Sequence, residues 1–407
     1  MSIVRTDVLI LGAGPAGTTA AIHLAEKGYH VTLIDQHLFP RDKICGDALS
    51  GNTTYEISKL PERAQTPFHQ LPRALPAGGI RFVAPNGIPL DIPLAIARPG
   101  FSSAGFVVSR WDFDYYLWQQ AVESPNVDFV QARAESISVS ADEVTISCGT
   151  TIFKAAFLLA GDGDKSLVRR TLWPKSIHRR HHSAGLRQYW TGVQGFPEGA
   201  FIELHFLPEL LPGYFWIFPM TEGRANVGLG VRSDVVSAQK MDLKKHLKNI
   251  IGHHPAIAER FSGAEASESI RGAGLPLGSK WRELIHHRVL MMGDAAGLVD
   301  PFSGEGIGQA MTSGRLAAQT VLHGLKTGKG SVRDLQGYSQ QLQRTLGGEL
   351  RVSTYLQWML RFPGLFNQVA LKAQNRPWLR DEICDMLHHP SQRKRLLWPG
   401  FWWKWVR

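Results

Sequence analysis

Apolar residues along this chain follow two rhythms. Unbroken runs at Val8-Leu9-Ile10-Leu11, Ala155 to Ala160 and Val289-Leu290-Met291-Met292 each end at a glycine, as parallel strands covered on both faces do. After the first run, Ala20, Ala21, Leu24 and Ala25 mark the apolar side of a helix expected from Pro15 to Lys27, with Gly28 as its stop. Val31 to Asp35 then reads as a second strand, so a βαβ unit opens the chain. Ser109 to Val122 and Gly304 to Leu325 also read as helices, and the chain from Val332 onward as helical. The second rhythm is alternation. It covers Val127 to Ile152, read as strands and hairpins, and residues 183–235, read as a mostly antiparallel sheet with turns around Pro208 to Gly213. Pro67 to Gly105 is rich in Pro and Gly and suits a meander or long connection.

Composition narrows the picture. With 407 residues the chain exceeds one ordinary core, so one large or two interleaved domains are expected. No stretch of about 18 apolar residues occurs, which argues against a spanning helix. The first apolar run leads into a glycine turn, not a cleavage site, so no signal peptide is read and a cytoplasmic protein starting near Met1 is expected. Cys45, Cys148 and Cys384 have no paired spacing, so neither a metal site nor a disulfide framework is expected. The net charge of +10 would suit anionic partners. Basic residues gather only at Arg179-Arg180-His181-His182 and Arg393-Lys394-Arg395, no nucleic-acid module is recognisable, and no nucleic-acid partner is expected.

Candidate chemistry lies in three glycine turns far apart in sequence. Gly12, Gly14, Ala16 and Gly17 form a Gly-x-Gly-x-x-Gly turn between strand and helix, where free N–H groups and the helix dipole attract a pyrophosphate. Asp35, at the end of the next strand, is placed for a ribose. Gly161-Asp162-Gly163 and Gly293-Asp294-Ala295-Ala296-Gly297 follow. The three turns, in this order, resemble the FAD site of the group-A flavoprotein superfamily that includes p-hydroxybenzoate hydroxylase. That resemblance implies that Asp294 and Pro301 lie on the flavin side and that Arg110 also touches FAD. Gly304-Glu305-Gly306-Ile307-Gly308 opens a helix whose N-terminus can stabilise negative charge on reduced flavin.

Two further segments resemble the geranylgeranyl reductases. Lys43-Ile44-Cys45-Gly46-Asp47-Ala48 is similar to that family's Lys-x-Cys-Gly-Asp/Gly-Ala element, and Tyr214-Phe215-Trp216-Ile217-Phe218-Pro219 to its Tyr-x-Trp-x-Phe-Pro signature, with Asn226-Val227-Gly228 beyond. The likeness spans roughly residues 5–325. It implies an α/β fold with a Rossmann-like FAD-binding domain (1–75, 102–170 and 271–330) interleaved with an antiparallel-sheet substrate domain (76–101 and 171–270), plus a C-terminal helical region (331–407). It also implies Cys45, Gly46, Asp47 and Ala48 at the flavin, and Cys45, Tyr214 and Trp216 as catalytic candidates. The expected reaction is hydride transfer from reduced flavin to an isolated alkene of a prenyl chain on a lipid or quinone. The proton donor is left open between Cys45, Tyr214 and an ordered water.

Two other readings compete. A flavin monooxygenase or halogenase shares the frame, but no lysine occurs between Lys59 and Lys154, where a halogenase would be expected to carry one. A non-catalytic FAD- or lipid-binding protein would not need the substrate-side motifs. No second complete dinucleotide turn follows a strand, so the electron donor is NAD(P)H bound transiently or a ferredoxin-like partner. Arg393 to Arg407 mixes four tryptophans with five cations, a composition suited to peripheral contact at the inner face of a membrane.

Overall fold

The computed structural model describes residues 2–65, 71, 73–94, 105–174, 178–376, 378, 379 and 382. Arg393 to Arg407 and Cys384 lie outside the described residues. Ser2–Leu11 and Val31–Asp35 pair in parallel, with Thr151–Ala160 on the other edge of the first strand and Val127–Gln131 beyond the second. Val289–Met291 joins the last residues of Thr151–Ala160, again in parallel. This sheet is buried on both faces where it matters: Val8, Leu9, Ile10, Leu158 and Leu159 are fully inaccessible. Such enclosure is what an unbroken apolar run requires. Helices Pro15–Ala25 and Ile307–Thr327 pack on it, and Gly314 lets them touch, since a Cβ there would lie 2.2 Å from the carbonyl oxygen of Ala16.

The second sheet is mainly antiparallel. His182–Thr191 pairs with Arg224–Arg232, which pairs with Tyr214–Pro219, then Phe201–His205, and Gly79–Val83 and Pro89–Pro93 extend the far edge. Arg271–Pro276, assigned by sequence to the start of the third nucleotide segment, pairs with His182–Thr191 and so extends this second sheet. A small sheet of Ala48–Leu49, Phe106–Val107 and Leu75–Pro76 adds two further pairings. The expected helix from Gly304 begins instead at Ile307, with Gly306 at its N-cap, because Gly304 has φ +71° and is spent on the turn. Helices Val332–Met359 and Pro363–Asn375 follow. The sheets and helices form the α/β fold with C-terminal helices read from the sequence.

Candidate active site

Three glycine turns converge on Ala16. Gly12 has φ +96°, and a Cβ there would sit 2.3 Å from the Gly161 carbonyl oxygen; a Cβ at Gly17 would sit 1.9 Å from that of Gly12. Only glycine fits either position. Built Cβ positions at Gly161 and Gly293 fall 3.6 and 3.3 Å from the Ala16 methyl, so the first, second and third turns pack together. The helices starting at Pro15, Gly293 and Ile307 carry no side-chain cap. By contrast Ser50, Ser109, Ser166, Asp242 and Ser331 each cap a helix elsewhere. Among the described α-helices, those starting at Ser233 and Pro363 also lack such a cap.

The Pro15 start leaves main-chain N–H groups for a polar or anionic ligand, whereas at the Ile307 start Gly308 N donates to Glu305 Oε1 at 2.8 Å and at the Gly293 start Gly293 N donates to Ser313 Oγ at 2.9 Å. Buried polar atoms without a protein partner accompany them: Asp300 Oδ2, Gln309 Oε1 and Asn52 Nδ2 near the Ile307 start, and Asp162 Oδ1 in the middle turn. Such atoms are normally satisfied, so the cradle fits a ligand with polar groups along its length, as FAD has. Asp35 accepts from Ala13 N at 2.8 Å and His37 N at 2.9 Å, which ties the first turn to the second strand. Asp162 Oδ2 accepts from Leu167 N at 2.7 Å, while Gly163, at φ +78°, supplies the left-handed residue beside it.

Charge is arranged around the first turn by Arg110, which the sequence reading placed at the cofactor, together with Asp114 and Arg41, to which it gave no role. Asp114 is fully buried and receives Arg110 Nε at 2.6 Å, Arg110 Nη2 at 2.8 Å and Arg41 Nη1 at 2.5 Å. Burial opposes its charge, but the two guanidinium groups outweigh that and hold the carboxyl below the usual range. Two cations on one anion leave a net positive charge. Arg41 Nη2 stands 3.7 Å from the built Cβ of Gly14, where a diphosphate would approach. Lys43 Nζ lies 2.7 Å from Asp294 Oδ2 and so joins the Cys45 segment to the third turn. Both Arg41 and Lys43 stand in the stretch that carries the cysteine motif; their charge was the available signal.

The cysteine segment is held by the second sheet. Asn226, fully buried, donates from Nδ2 to the Cys45 carbonyl and to Asp47 Oδ2, each at 2.8 Å, and accepts the Trp216 indole N–H at 2.8 Å. Tyr189 donates its phenol to the same Asp47 oxygen at 2.5 Å, and the Arg110 N–H reaches Asp47 Oδ1 at 3.3 Å. Asp47 itself is left-handed at φ 66° and fully buried, and burial pushes its carboxyl up to about 6 against the pull of Tyr189, Arg187 and Asn226. Gly46 is required by contact: a Cβ there would lie 2.9 Å from the Phe218 ring. Ala48 begins the strand paired to Phe106–Val107. The Trp216 nitrogen therefore serves this network.

Tyr214 meets the turn that precedes the Ile307 helix, and Cys45 lies near Tyr214. The Tyr214 phenol donates to the Ser303 carbonyl, and a Cβ at Gly304 would lie 2.8 Å from its oxygen. Burial, with Asp300 and Cys45 adding to it, pushes that phenol up. Burial likewise pushes the Cys45 thiol up, against Arg110. Both groups keep their protons near neutral pH. Glu305, its Oε1 accepting from Gly308 N at 2.8 Å, is pushed by burial up to about 7, with Glu349 adding to the effect. Gly306 closes on Asp294, whose Oδ1 is 3.6 Å from its built Cβ, and the Pro301 carbonyl accepts from Gln357 Nε2 at 2.6 Å. Beyond Tyr214 lies an aromatic wall: Phe206 is 5.8 Å from both Tyr214 and Phe302, and Trp216 is 6.1 Å from Phe218.

Known proteins resemble this chain in sequence and fold. The geranylgeranyl reductase catalytic domain matches residues 188–267, which include Asn226 and the aromatic strand, and the FAD dependent oxidoreductase family matches residues 7–54. A menaquinone reductase of Mycobacterium tuberculosis is 29% identical over 77% of this chain and 76% of its own. A digeranylgeranylglycerophospholipid reductase of Methanothermobacter thermautotrophicus is 29% identical over 87% of this chain and 86% of its own. The chain thus resembles the geranylgeranyl reductases among the FAD-dependent oxidoreductases. FAD is the cofactor, in agreement with the glycine cradle around Ala16. A geranylgeranyl bacteriochlorophyll reductase-like structure from Thermoplasma acidophilum superimposes with TM-score 0.81 over 97% of this chain and 99% of its own, at 22% identity. A flavin-dependent brominase superimposes with TM-score 0.74 at 20% identity over 95% and 94% of the two chains, so the fold alone does not separate reduction from oxygen chemistry.

Proposed function

We propose that this protein, similar to the geranylgeranyl reductases, saturates isolated C=C bonds in the prenyl chain of a lipid or quinone. The observation that carries the reading is a pair of protonated groups: Tyr214, which meets the Ser303 carbonyl and the Phe206 ring, and Cys45, near enough to Tyr214 to push its phenol further up. Reduced FAD supplies the hydride when bound. Cys45 holds a neutral thiol and is our choice for delivering the proton to the other alkene carbon, because the Tyr214 proton is engaged by the Ser303 carbonyl. Tyr214, Trp216, Phe206 and Phe302 then orient the chain and keep water from the developing charge. The names of the menaquinone and digeranylgeranylglycerophospholipid reductases support a polyprenyl substrate.

The electron donor in this reading is NAD(P)H or a ferredoxin-like protein. No described helix is long and apolar enough to cross a membrane, so contact with a lipid substrate is peripheral in this proposal, with the aromatic and basic Arg393 to Arg407 segment taking part. Anaerobic incubation of the chemically reduced protein with polyprenyl lipids and quinones, followed by mass spectrometry, tests the function. A gain of two hydrogens coupled to flavin reoxidation is expected. No anaerobic gain, with an added oxygen on aeration, would replace reduction by hydroxylation.

A further inference from the structure

The described residues expose eleven large apolar side chains, and six of them fall between Tyr355 and Trp378: Tyr355, Trp358, Phe362, Leu365, Leu371 and Trp378. Isolated exposures are ordinary, but these include a continuous ring cluster. Tyr355 and Trp358 lie 5.5 Å apart by centroid, and Trp358 and Phe362 5.1 Å. From residue 351 to 380 the chain holds no Asp or Glu, while Arg351, Arg361, Lys372, Arg376 and Arg380 carry positive charge. We propose that this face of the last two helices docks on an anionic lipid bilayer, aromatic rings entering the interface and cations meeting the headgroups.

Charge selects this occupant over two others. A second copy of the chain would bring like charge against like, and so would the cationic segment from Arg393 to Arg407. The opposite side of the same helices reaches the site. Val352, Leu360, Ala373 and Leu379 are buried in one cluster with Phe82, Phe206, Trp216 and Phe218, the Phe366 ring is 4.9 Å from Phe206, and Gln357 holds the Pro301 carbonyl. A single layer of helix therefore separates the proposed lipid contact from the aromatic wall. Docking stands on the patch itself; its use, to deliver a chain without crossing water, rests on the prenyl-lipid reading above.

Flotation of the full-length protein with phosphatidylcholine vesicles containing about 30% phosphatidylglycerol tests the docking. The unaltered protein is expected to float, less so in high salt. A Trp358→Ser, Phe362→Ser double variant is expected to bind about tenfold more weakly, as loss of two inserted rings implies, and Arg351→Gln with Arg361→Gln less weakly. A Trp402→Ser, Trp403→Ser variant is expected to keep most of the binding. Unchanged flotation of the Trp358/Phe362 variant, loss confined to the Trp402/Trp403 variant, or a dimer that the Trp358/Phe362 change dissociates without any vesicle binding would each overturn the proposal. Alkene reduction in detergent micelles is read separately. Reduction without flotation removes the docking alone, and flotation without reduction removes the prenyl-reductase reading alone.

Discussion

Around Ala16 the site is built from main chain, and around Asp47 it is built from side chains. At the first, glycines with no room for a Cβ, Gly12 and Gly17 against carbonyl oxygens, bring three glycine turns together around Ala16. At the second, Asn226, Tyr189, Trp216 and Asp47 clasp the cysteine segment through hydrogen bonds between residues far apart in sequence. The difference teaches how each half can vary. A backbone cradle recognises a shape common to many dinucleotides and tolerates change in almost every residue except its glycines. A side-chain clasp has every member satisfied by another, so one substitution leaves a buried group unpaired.

The contrast can be broken most severely in the cradle. Gly17→Val places a side chain where even a Cβ would lie 1.9 Å from backbone. Loss of FAD affinity by about a hundredfold or more is expected, read from flavin absorbance after gel filtration. In the catalytic half, Cys45→Ala is expected to slow substrate-dependent flavin reoxidation about a hundredfold while FAD stays bound, and Tyr214→Phe by a smaller factor. Unchanged stopped-flow rates in both variants would remove these residues from proton delivery.

The clasp is best sharpened through pH. The folded Asp47 carboxyl, at about 6, holds its proton more tightly than an unfolded one at 3.8. The native state therefore binds more protons between these values, and this contribution to stability falls as pH rises from about 4 to about 6, then levels. Asp47→Asn should flatten that part of a Tm-against-pH curve by a few degrees relative to the unaltered protein. Parallel curves would place the titrating group elsewhere. The smallest effect is expected for Arg41→Gln, about fivefold weaker FAD binding by fluorescence titration with a shallower salt dependence, since Arg110 still neutralises Asp114.

Legibility in the sequence followed the same division. The glycine turns, the buried strands and the helix after Pro15 could be read because steric demands of backbone recur at fixed spacing. The Cys45 and Tyr214 segments were visible as motifs, yet what each side chain does there was not. Trp216 stood out as an aromatic, while Asn226, which receives its indole N–H and fastens the cysteine loop, stood in a quoted motif without an assigned role. Tyr189 carried no local mark at all. The start of the third long helix moved from Gly304 to Ile307 because turn geometry at Gly304 is decided by what it must approach, Tyr214.

By itself the sequence determined the α/β class, the FAD cradle and the likeness to geranylgeranyl reductases, since all three rest on residues acting on their near neighbours or on backbone sterics. Only the tertiary structure decided that Arg271–Pro276 extends the second sheet, that Arg110 and Arg41 share Asp114, and that the cysteine segment hangs from Asn226. Apart from Arg110 and Asp114, one helical turn apart, these are pairings across tens to hundreds of residues. Burial sets their energies by stripping water from charges and hydrogen-bonding groups, and burial is a property of the folded whole.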